Sequence, residues 1–300
     1  MRLTALATAL ITATLTLTAC GGSADEAASS PTCPDGKVRF GVEPFEDPER
    51  LTPAARVLAD ALSKSLNCPV ELTVTEDYAA EVLAMENGKL DIGVFGPLGY
   101  VFASKRAKAE AVASFGEADG RLSSYTAGIW VPVGSDITGV DKLRGRSLAL
   151  SSVGSTSGDA LPRKALKDVG IAETDLKISY AGGHPEALLA LTNGSVDAAE
   201  INSQQLASAT AAGTFDKSRF RQVWTSAPIP NDPITVRGDL KPEFKTAVKD
   251  ALLGLSPEAV KEIGALLDVD PPGRLVAVDR STYQPLFDLA ETLGLTEKDV

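Results

Sequence analysis

Short apolar runs alternate with amphipathic stretches along most of this chain, and few folds accommodate that order. An apolar run such as 38–42 has the length of a buried strand, whereas 53–67 carries apolar residues at the spacing of one helix face. The same order returns after Pro132, with apolar runs at 147–150 and 196–201. Repeated strand–helix units build parallel sheets that are covered by helices on both faces. The pattern therefore predicts an α/β fold.

The alternation stops and starts again, which predicts two lobes. The 265 residues that follow residue 35 also suit two lobes better than one core. We expect residues 36–132 and 236–300 to form a discontinuous first lobe and residues 133–235 to form the second. Everything after Lys241 is expected to be helical. Two hinge strands would then join two parallel-sheet lobes, and such connections permit closure around a ligand.

The first residues have the pattern of an export signal. Arg2 supplies a positive charge, an apolar region follows, and residues 17–20 read Leu-Thr-Ala-Cys, which resembles a bacterial lipobox. We expect residues 1–19 to be a signal peptide, Cys20 to carry lipid on its sulfur, and residues 20–35 to be a flexible tether. An ordinary secretory signal cleaved elsewhere is the alternative. Either way, the mature protein is expected to work outside the cytoplasm.

Two further cysteines, Cys33 and Cys68, each come just before a predicted strand. If those strands are adjacent and parallel, their starts lie close together, and an oxidising compartment allows a disulfide between them. Two free buried thiols are the alternative. In neither case do we expect more than a structural role.

The charge balance bears on possible partners. The chain has 29 Lys and Arg against 40 Asp and Glu, a formal net charge of −11. A strongly acidic surface disfavours nucleic acid and anionic lipid as partners, so contact with the membrane is expected through the lipid anchor only. A small anion is not disfavoured, because neutral backbone dipoles can bind it.

The segment 151–158, Ser-Ser-Val-Gly-Ser-Thr-Ser-Gly, lies between a predicted strand and a predicted helix. The first N–H groups of a helix have no intrahelical partner, and the positive end of the helix dipole lies there. Ser155, Thr156 and Ser157 would add hydroxyl donors, so the segment is suited to bind a small tetrahedral anion. The same composition is also typical of any strand-to-helix turn with a helix cap.

Further candidate residues follow the predicted strands. The carboxyl ends of parallel strands share one edge of a sheet, where ligands bind in α/β folds. The residues expected at that edge, together with one before a proline near the predicted return to the first lobe, are Tyr78, Phe95, Ser155, His184 and Asp232. Each has a structural alternative: a half-buried ring for Tyr78, core packing for Phe95, a neighbour of a helix cap for His184 and a turn residue for Asp232.

Several chemistries find little support in the sequence. His184 is the only histidine, which argues against most metal sites and against histidine-assisted hydrolysis. No G-x-S-x-G, P-loop or G-x-G-x-x-G motif is present. We therefore expect no cofactor, no metal and no catalysis. The alternatives are a serine-dependent hydrolase of a small ester, acting through Ser155 or Ser157, and a surface lipoprotein that binds another protein.

Several strings, in their order and spacing, resemble one family. They are Asp77-Tyr78, the run 91–96, Ser155-Thr156-Ser157-Gly158 with Pro162 four residues on, Ala181-Gly182-Gly183-His184, and Pro230-Asn231-Asp232-Pro233. The chain is similar here to the phosphonate- and phosphite-binding proteins of bacterial ABC importers, the PhnD type. The resemblance implies a two-lobed type II periplasmic-binding-protein fold, a monomer that delivers its ligand to an ABC permease with its ATPase, and an anion held between the lobes.

The resemblance also implies roles for individual residues. Ser155, Thr156, Ser157, Tyr78 and His184 would donate to ligand oxygens. Asp232 would accept a hydrogen bond, and a carboxylate beside an anion tolerates only a ligand that carries a proton, such as a P–OH group.

Two departures from the family bear on the ligand. Phe95 lacks the hydroxyl that several relatives place against the ligand, and Gln204 stands where the aminoalkylphosphonate binder has a glutamate. These departures favour phosphite or a small alkylphosphonate over an aminoalkyl ligand, with phosphate as a further possibility.

Overall fold

The computed structural model describes residues 30–296. The predicted signal peptide and Cys20 lie outside the described residues. Within residues 30–296, no helix has the length and apolar character needed to cross a membrane. The chain forms two lobes, each built on one sheet with apolar clusters on both faces.

The first lobe begins with three strand–helix units. Its first elements are β1 (Val38–Val42), α1 (Pro48–Leu66), β2 (Val70–Val74), α2 (Tyr78–Glu86), β3 (Ile92–Val94), α3 (Pro97–Arg106) and β4 (Glu110–Phe115). Strand β1 pairs in parallel with both β2 and β3. Alternate residues of β1 pack against α1, whose apolar face includes Leu51, Leu58 and Leu62. All three parallel strands therefore end at the same edge of the sheet.

The chain then crosses to the second lobe and builds a five-stranded sheet. The elements are β5 (Ser124–Tyr125), β6 (Gly128–Pro132), β7 (Ser147–Leu150), α4 (Leu161–Asp168), β8 (Lys177–Tyr180), α5 (His184–Thr192), β9 (Ala198–Glu200), α6 (Ser203–Ala211) and β10 (Phe220–Thr225). The strand order is β10-β6-β9-β7-β8, with β7 parallel to β8 and to β9. A second edge of parallel carboxyl ends results.

The chain returns to the first lobe and completes its sheet. The elements are β11 (Ile229–Pro230), β12 (Pro233–Val236), α7 (Pro242–Leu253), α8 (Pro257–Leu266), β13 (Leu275–Ala277) and α9 (Gln284–Leu293). The order in the six-stranded sheet is β13-β4-β12-β3-β1-β2. The expectation that everything after Lys241 is helical is wrong, because β13 pairs with β4 at the edge of this sheet.

The two crossings lie side by side. Strands β5 and β11 pair as a small antiparallel ribbon, so the two hinge strands contact each other. Strand β6 pairs with β9 and β10 in the second sheet, whereas β12 pairs with β3 and β4 in the first. The lobe boundaries expected at residues 132 and 235 are therefore a few residues too late.

Neither sheet is purely parallel. Strand β12 runs antiparallel to β3 and β4, and β6 runs antiparallel to β9. Both strands follow a crossing, so each enters its sheet from the edge at which the parallel strands end. The direction of a strand at a crossing is therefore set by the side from which the chain arrives.

A disulfide joins Cys33 to Cys68, with 5.4 Å between the Cα atoms. The two cysteines precede β1 and β2, whose residues Val38 and Val70 are paired in register. The bond thus lies at the amino ends of these strands, at the edge opposite to the one where they end.

Candidate functional site

A small cavity lies between the lobes, where the carboxyl ends of the two sets of parallel strands face each other. It is lined by Glu43, Phe45, Glu46, Tyr78, Gly96, Tyr125, Ser155, Thr156, Ser157, His184, Asn202, Gln204, Gln205, Asp232 and Leu266. The centre of a water molecule can move through about 20 Å³ of this space, whereas one buried water needs about 10–15 Å³. The cavity therefore suits a ligand of few non-hydrogen atoms.

Ser155, Thr156 and Ser157 form the floor of the cavity at the start of a helix. Ser155 is the helix cap, and its hydroxyl accepts a hydrogen bond from the Gly158 N–H at 3.1 Å. Residues Thr156–Ala160 form one π-helical turn that continues into α4. The first N–H groups of this turn are at the positive end of the helix dipole, next to the cavity.

Each of the three hydroxyls accepts a hydrogen bond from the protein. Ser155 accepts from the Gly158 N–H, Thr156 accepts from the Leu98 N–H at 2.8 Å, and Ser157 accepts from the Asn202 side chain at 3.2 Å. A hydroxyl that already accepts retains its own proton as a donor. The cavity floor therefore offers three hydroxyl donors, which is the polarity that an anion needs. Thr156 also links the two lobes, because Leu98 lies in α3.

His184 begins α5 and reaches the cavity from the second lobe. Its Nδ1 lies 3.0 Å from Oε2 of Glu200, and its Nε2 lies 3.3 Å from the Ser155 hydroxyl. Burial alone would lower the pKa of His184, but the charge and hydrogen bond of Glu200 outweigh it, so the pKa is raised. A protonated His184 donates from both ring nitrogens and contributes a positive charge. None of the described residues that line the cavity is lysine or arginine.

Besides Glu46, which pairs with Arg50 at 3.0 Å, two carboxyl groups line the cavity from the first lobe. Burial raises the pKa of Asp232 to about 7. Burial, together with the charge of Asp232, raises the pKa of Glu43 well above its usual range. Each carboxyl therefore takes up a proton far more readily than it would in water.

Two tyrosines complete the polar lining. Burial and the charges of Glu43 and Asp232 raise the pKa of Tyr78 and of Tyr125 well above the usual value. Both hydroxyls therefore keep their protons at neutral pH and act as donors. Tyr78 interacts with Ser155, and Tyr125 interacts with Thr156 and Ser157.

The structure brings most of the sequence candidates together. Tyr78, Ser155, Thr156, Ser157, His184 and Asp232 all line the cavity, and so does Gln204. Phe95 does not: it is fully buried in an apolar cluster with Leu98 and Met85. The ring folds back over Gly93, where an added Cβ would lie 2.4 Å from it. The expectation that Phe95 contacts a ligand is therefore wrong, since the pleat of β3 and the adjacent glycine direct the ring into the core.

Sequence reasoning missed several lining residues, above all Glu43 and Tyr125. Glu43 comes directly after β1, so the rule that ligands bind at strand ends could have found it. Tyr125 lies in the hinge ribbon, opposite Ile229. No local signal marks it, because its position depends on a pairing between segments more than a hundred residues apart.

Ser155, His184 and Glu200 lie in a row that resembles the nucleophile, base and orienting carboxylate of a hydrolase. A general base must be neutral at Nε2 to accept the serine proton. Glu200 instead raises the pKa of His184 despite its burial, which favours the protonated ring. Within residues 30–296, no cluster of three or more His, Cys, Asp or Glu side chains could hold a metal ion.

Two α/β lobes joined by a two-stranded hinge, with a polar cavity between their facing strand ends, define a type II periplasmic substrate-binding protein. Solved structures share this fold. PhnD1 from Prochlorococcus marinus (MIT 9301), in complex with methylphosphonate, superimposes with a TM-score of 0.76 at 20% identity, covering 89% of this chain and all (100%) of that one.

The chain belongs to the family of periplasmic phosphonate-binding proteins of ABC transporters, whose model matches residues 40–283. The phosphonates-binding periplasmic protein of Escherichia coli K12 is 27% identical over 228 residues, which is 74% of this chain and 67% of that protein. The phosphate-import protein PhnD of Mycolicibacterium smegmatis is 26% identical over 255 residues, 81% and 79% of the two chains.

The family defines the general role of the chain. It is an extracytoplasmic substrate-binding component of an ABC importer of phosphonate or phosphate, not an enzyme. Such a component binds a small molecule and works with a permease and its ATPase.

Proposed function

We propose that this protein captures a small phosphorus oxyanion with at least one P–OH group between its two lobes and delivers it to the permease. The candidate ligands are phosphite, a short alkylphosphonate and phosphate. The supporting observation is the polarity of the lining: three hydroxyls, each of which already accepts a hydrogen bond from the protein, lie across the cavity from the carboxyl group of Asp232.

In this proposal, Ser155, Thr156, Ser157, Tyr78 and His184 donate to the phosphoryl oxygens. The helix N–H groups and the protonated His184 balance the negative charge. Tyr125 supplies a second tyrosine hydroxyl, the kind of group that Phe95 lacks. The monomeric protein would close around the ligand by bending at the β5–β11 ribbon.

Asp232 would select a protonated ligand. Its carboxylate accepts a hydrogen bond from P–OH, which phosphite, methylphosphonate and phosphate all carry to a substantial extent near neutral pH. Sulfate is fully ionised there and would leave the buried carboxylate facing an oxygen without a proton. The raised pKa of Asp232, to about 7, supports a shared proton at this contact.

The relatives support the chemical class. The Escherichia coli relative is named for phosphonates and the Mycolicibacterium relative for phosphate import, and the Prochlorococcus protein was solved with methylphosphonate. All of these ligands are tetrahedral phosphorus oxyanions.

We also propose that residues 1–19 are a cleaved signal peptide and that Cys20 carries a lipid, so that the 20–35 tether holds the receptor at the membrane. Metabolic labelling with an alkynyl fatty acid tests this: wild-type protein should take up label, and Cys20→Ala should take up none. Label that persists in the Cys20→Ala protein would contradict the anchor.

Calorimetric titration of a soluble form lacking residues 1–29 tests the ligand class. The ligands are phosphite, methylphosphonate, 2-aminoethylphosphonate, phosphate and sulfate. We expect tight binding of at least one of the first four, no binding of sulfate, and loss of binding in the Ser155→Ala, Thr156→Ala double variant. Absence of binding by all five ligands, or tight binding of sulfate, would contradict the proposal.

A further inference from the structure

Glu43 is a buried carboxyl group in the cavity that has only part of its hydrogen bonding satisfied. It is 2% exposed, and the Gly96 N–H donates to its carboxyl group. Its atom Oε2 is buried and has no hydrogen-bond partner among residues 30–296. An unpaired buried polar atom is costly, and Glu43 lines the cavity, so this oxygen points to a partner on the ligand.

The same helix turn positions Glu43 and the cavity floor. The start of α3, with Gly96 as its cap, provides the Gly96 N–H for Glu43 and the Leu98 N–H for the hydroxyl of Thr156. Glycine at 96 leaves room for the carboxyl group, since an added Cβ there would lie 2.5 Å from Oε1 of Glu43. An anion held by Thr156 therefore lies next to Glu43.

Asp232 is a separate carboxyl group of the same cavity, and the two influence each other and both tyrosines. Behind them, Glu81 is fully buried and does not line the cavity. A ligand between Asp232 and Glu43 meets two carboxyl groups, and each contact with a phosphoryl oxygen requires one shared proton. Burial and the charge of Asp232 raise the pKa of Glu43, which makes the second proton available.

We propose that Glu43 contacts the fourth substituent on phosphorus and thereby makes this receptor selective for phosphate over phosphite and methylphosphonate. This inference rests on the proposed function, because it assumes that a phosphorus oxyanion occupies the cavity. It differs from the phosphite or alkylphosphonate that the sequence alone favours.

The selectivity follows from what each ligand presents. Three oxygens of each ligand are bound by the cavity floor, His184, the tyrosines and Asp232. The fourth group is an oxygen in phosphate, which shares a proton with Glu43: an ionised Glu43 accepts it from P–OH, and a protonated Glu43 donates it to P–O⁻. In phosphite the fourth group is hydrogen and in methylphosphonate it is methyl, and neither pairs with the carboxyl group. Leaving Glu43 unpaired weakens binding by roughly tenfold to a hundredfold.

Titration of wild-type protein and two variants with phosphate, phosphite and methylphosphonate tests the inference. Glu43→Met replaces the carboxyl group by an apolar side chain of similar length. We expect wild-type protein to bind phosphate at least about tenfold more tightly than the other two ligands, and Glu43→Met to reduce that ratio to about one or to invert it. The ratio isolates the fourth substituent, because loss of the Gly96 contact affects all three ligands equally.

Asp232→Asn is the matched control, since all three ligands carry the P–OH that Asp232 accepts. It should weaken every ligand, including the two that offer Glu43 no partner. Glu43→Ala provides the same measurement with less bulk if Glu43→Met does not fold.

The outcomes separate the two levels of the proposal. If wild-type protein binds all three ligands with similar affinity, or if the loss of Glu43 weakens all three equally, the inference about Glu43 fails and the proposed function stands. If none of the three binds and 2-aminoethylphosphonate does not bind either, the proposed function itself fails.

Discussion

Asp232 is a carboxyl group that folding removes almost completely from water. Burial raises its pKa from 3.8 to about 7, so between about pH 4 and pH 7 the folded state binds more protons than the unfolded chain. The free energy of unfolding should therefore fall as the pH rises through this window and level off above it. The two pKa values differ by an amount that corresponds to roughly 4 kcal/mol at full effect.

Urea unfolding of the ligand-free protein at pH 5 and pH 8 measures this dependence, and Asp232→Asn, which stays neutral, should flatten it. Asp197→Asn is the control, because hydrogen bonds from Ser147 lower the pKa of Asp197 and its titration lies below the window. Equal slopes for the wild-type and Asp232→Asn proteins would contradict the assignment. Glu43 and Glu81 have raised pKa values, as does His184, and they add a dependence of the same sign that Asp232→Asn reduces only in part.

At the level of single residues, local signals located the donors better than the carboxyl groups. Ser155 to Ser157 could be predicted because a hydroxyl-rich turn before a helix has the same geometry in any fold. Phe95 and Glu43 each follow a strand, yet the Phe95 ring enters the core and the Glu43 side chain enters the cavity. That difference depends on the pleat and on neighbouring glycines, which only the packed structure reveals.

The turn at the start of α4 is held against the end of β7 by a close approach. An added Cβ at Gly158 would lie 1.6 Å from the Ser151 hydroxyl and 2.9 Å from the His184 ring. Gly158→Ala should therefore displace the turn, destabilise the protein by about 1–3 kcal/mol, and weaken ligand binding. Urea unfolding and ligand titration measure the two effects.

Gly264→Ala is a suitable control for this substitution. Gly264 lies in α8, and the nearest atoms to an added Cβ, apart from the backbone of its own helix, are 3.8 Å away. Since alanine favours helix by up to about 1 kcal/mol, this variant should bind normally and be at least as stable as wild type. Wild-type affinity in Gly158→Ala would show that the turn tolerates displacement.

Among the elements, those with a clear period could be predicted and those defined by a crossing could not. The units from β1 to α3 follow the alternation of the sequence closely. Strand β13 has three residues, too few to establish a period, and it is a strand only because β4 offers a free edge. The antiparallel direction of β6 and β12 likewise depends on the path between the lobes.

In the whole molecule, the stabilising disulfide and the ligand cavity lie at opposite edges of the first sheet. The Cys33–Cys68 disulfide is at the amino ends of β1 and β2, and the cavity is at their carboxyl ends. The existence of two lobes could be predicted from the repeated alternation. The exact crossings could not, because β6 and β12 have the same composition as the strands they join and only their pairing assigns them to a sheet.

The lobes also meet at the side of the cavity, where Ser208 of α6 contacts Glu46 and Arg50 of the first lobe. The Ser208 hydroxyl donates to Glu46 at 3.3 Å and accepts from Arg50, which pairs with Glu46 at 3.0 Å. A contact between lobes forms only when they are closed, so its loss should speed ligand release without slowing capture. At about 1 kcal/mol for such a hydrogen bond, Ser208→Ala should raise the dissociation rate roughly fivefold.

Stopped-flow measurement of the dissociation rate of the tightest ligand checks this prediction. Ser218→Ala is the control, because the Ser218 hydroxyl contacts Asp216 within the second lobe. An unchanged dissociation rate, or a lower association rate, would mean that this contact does not hold the lobes closed.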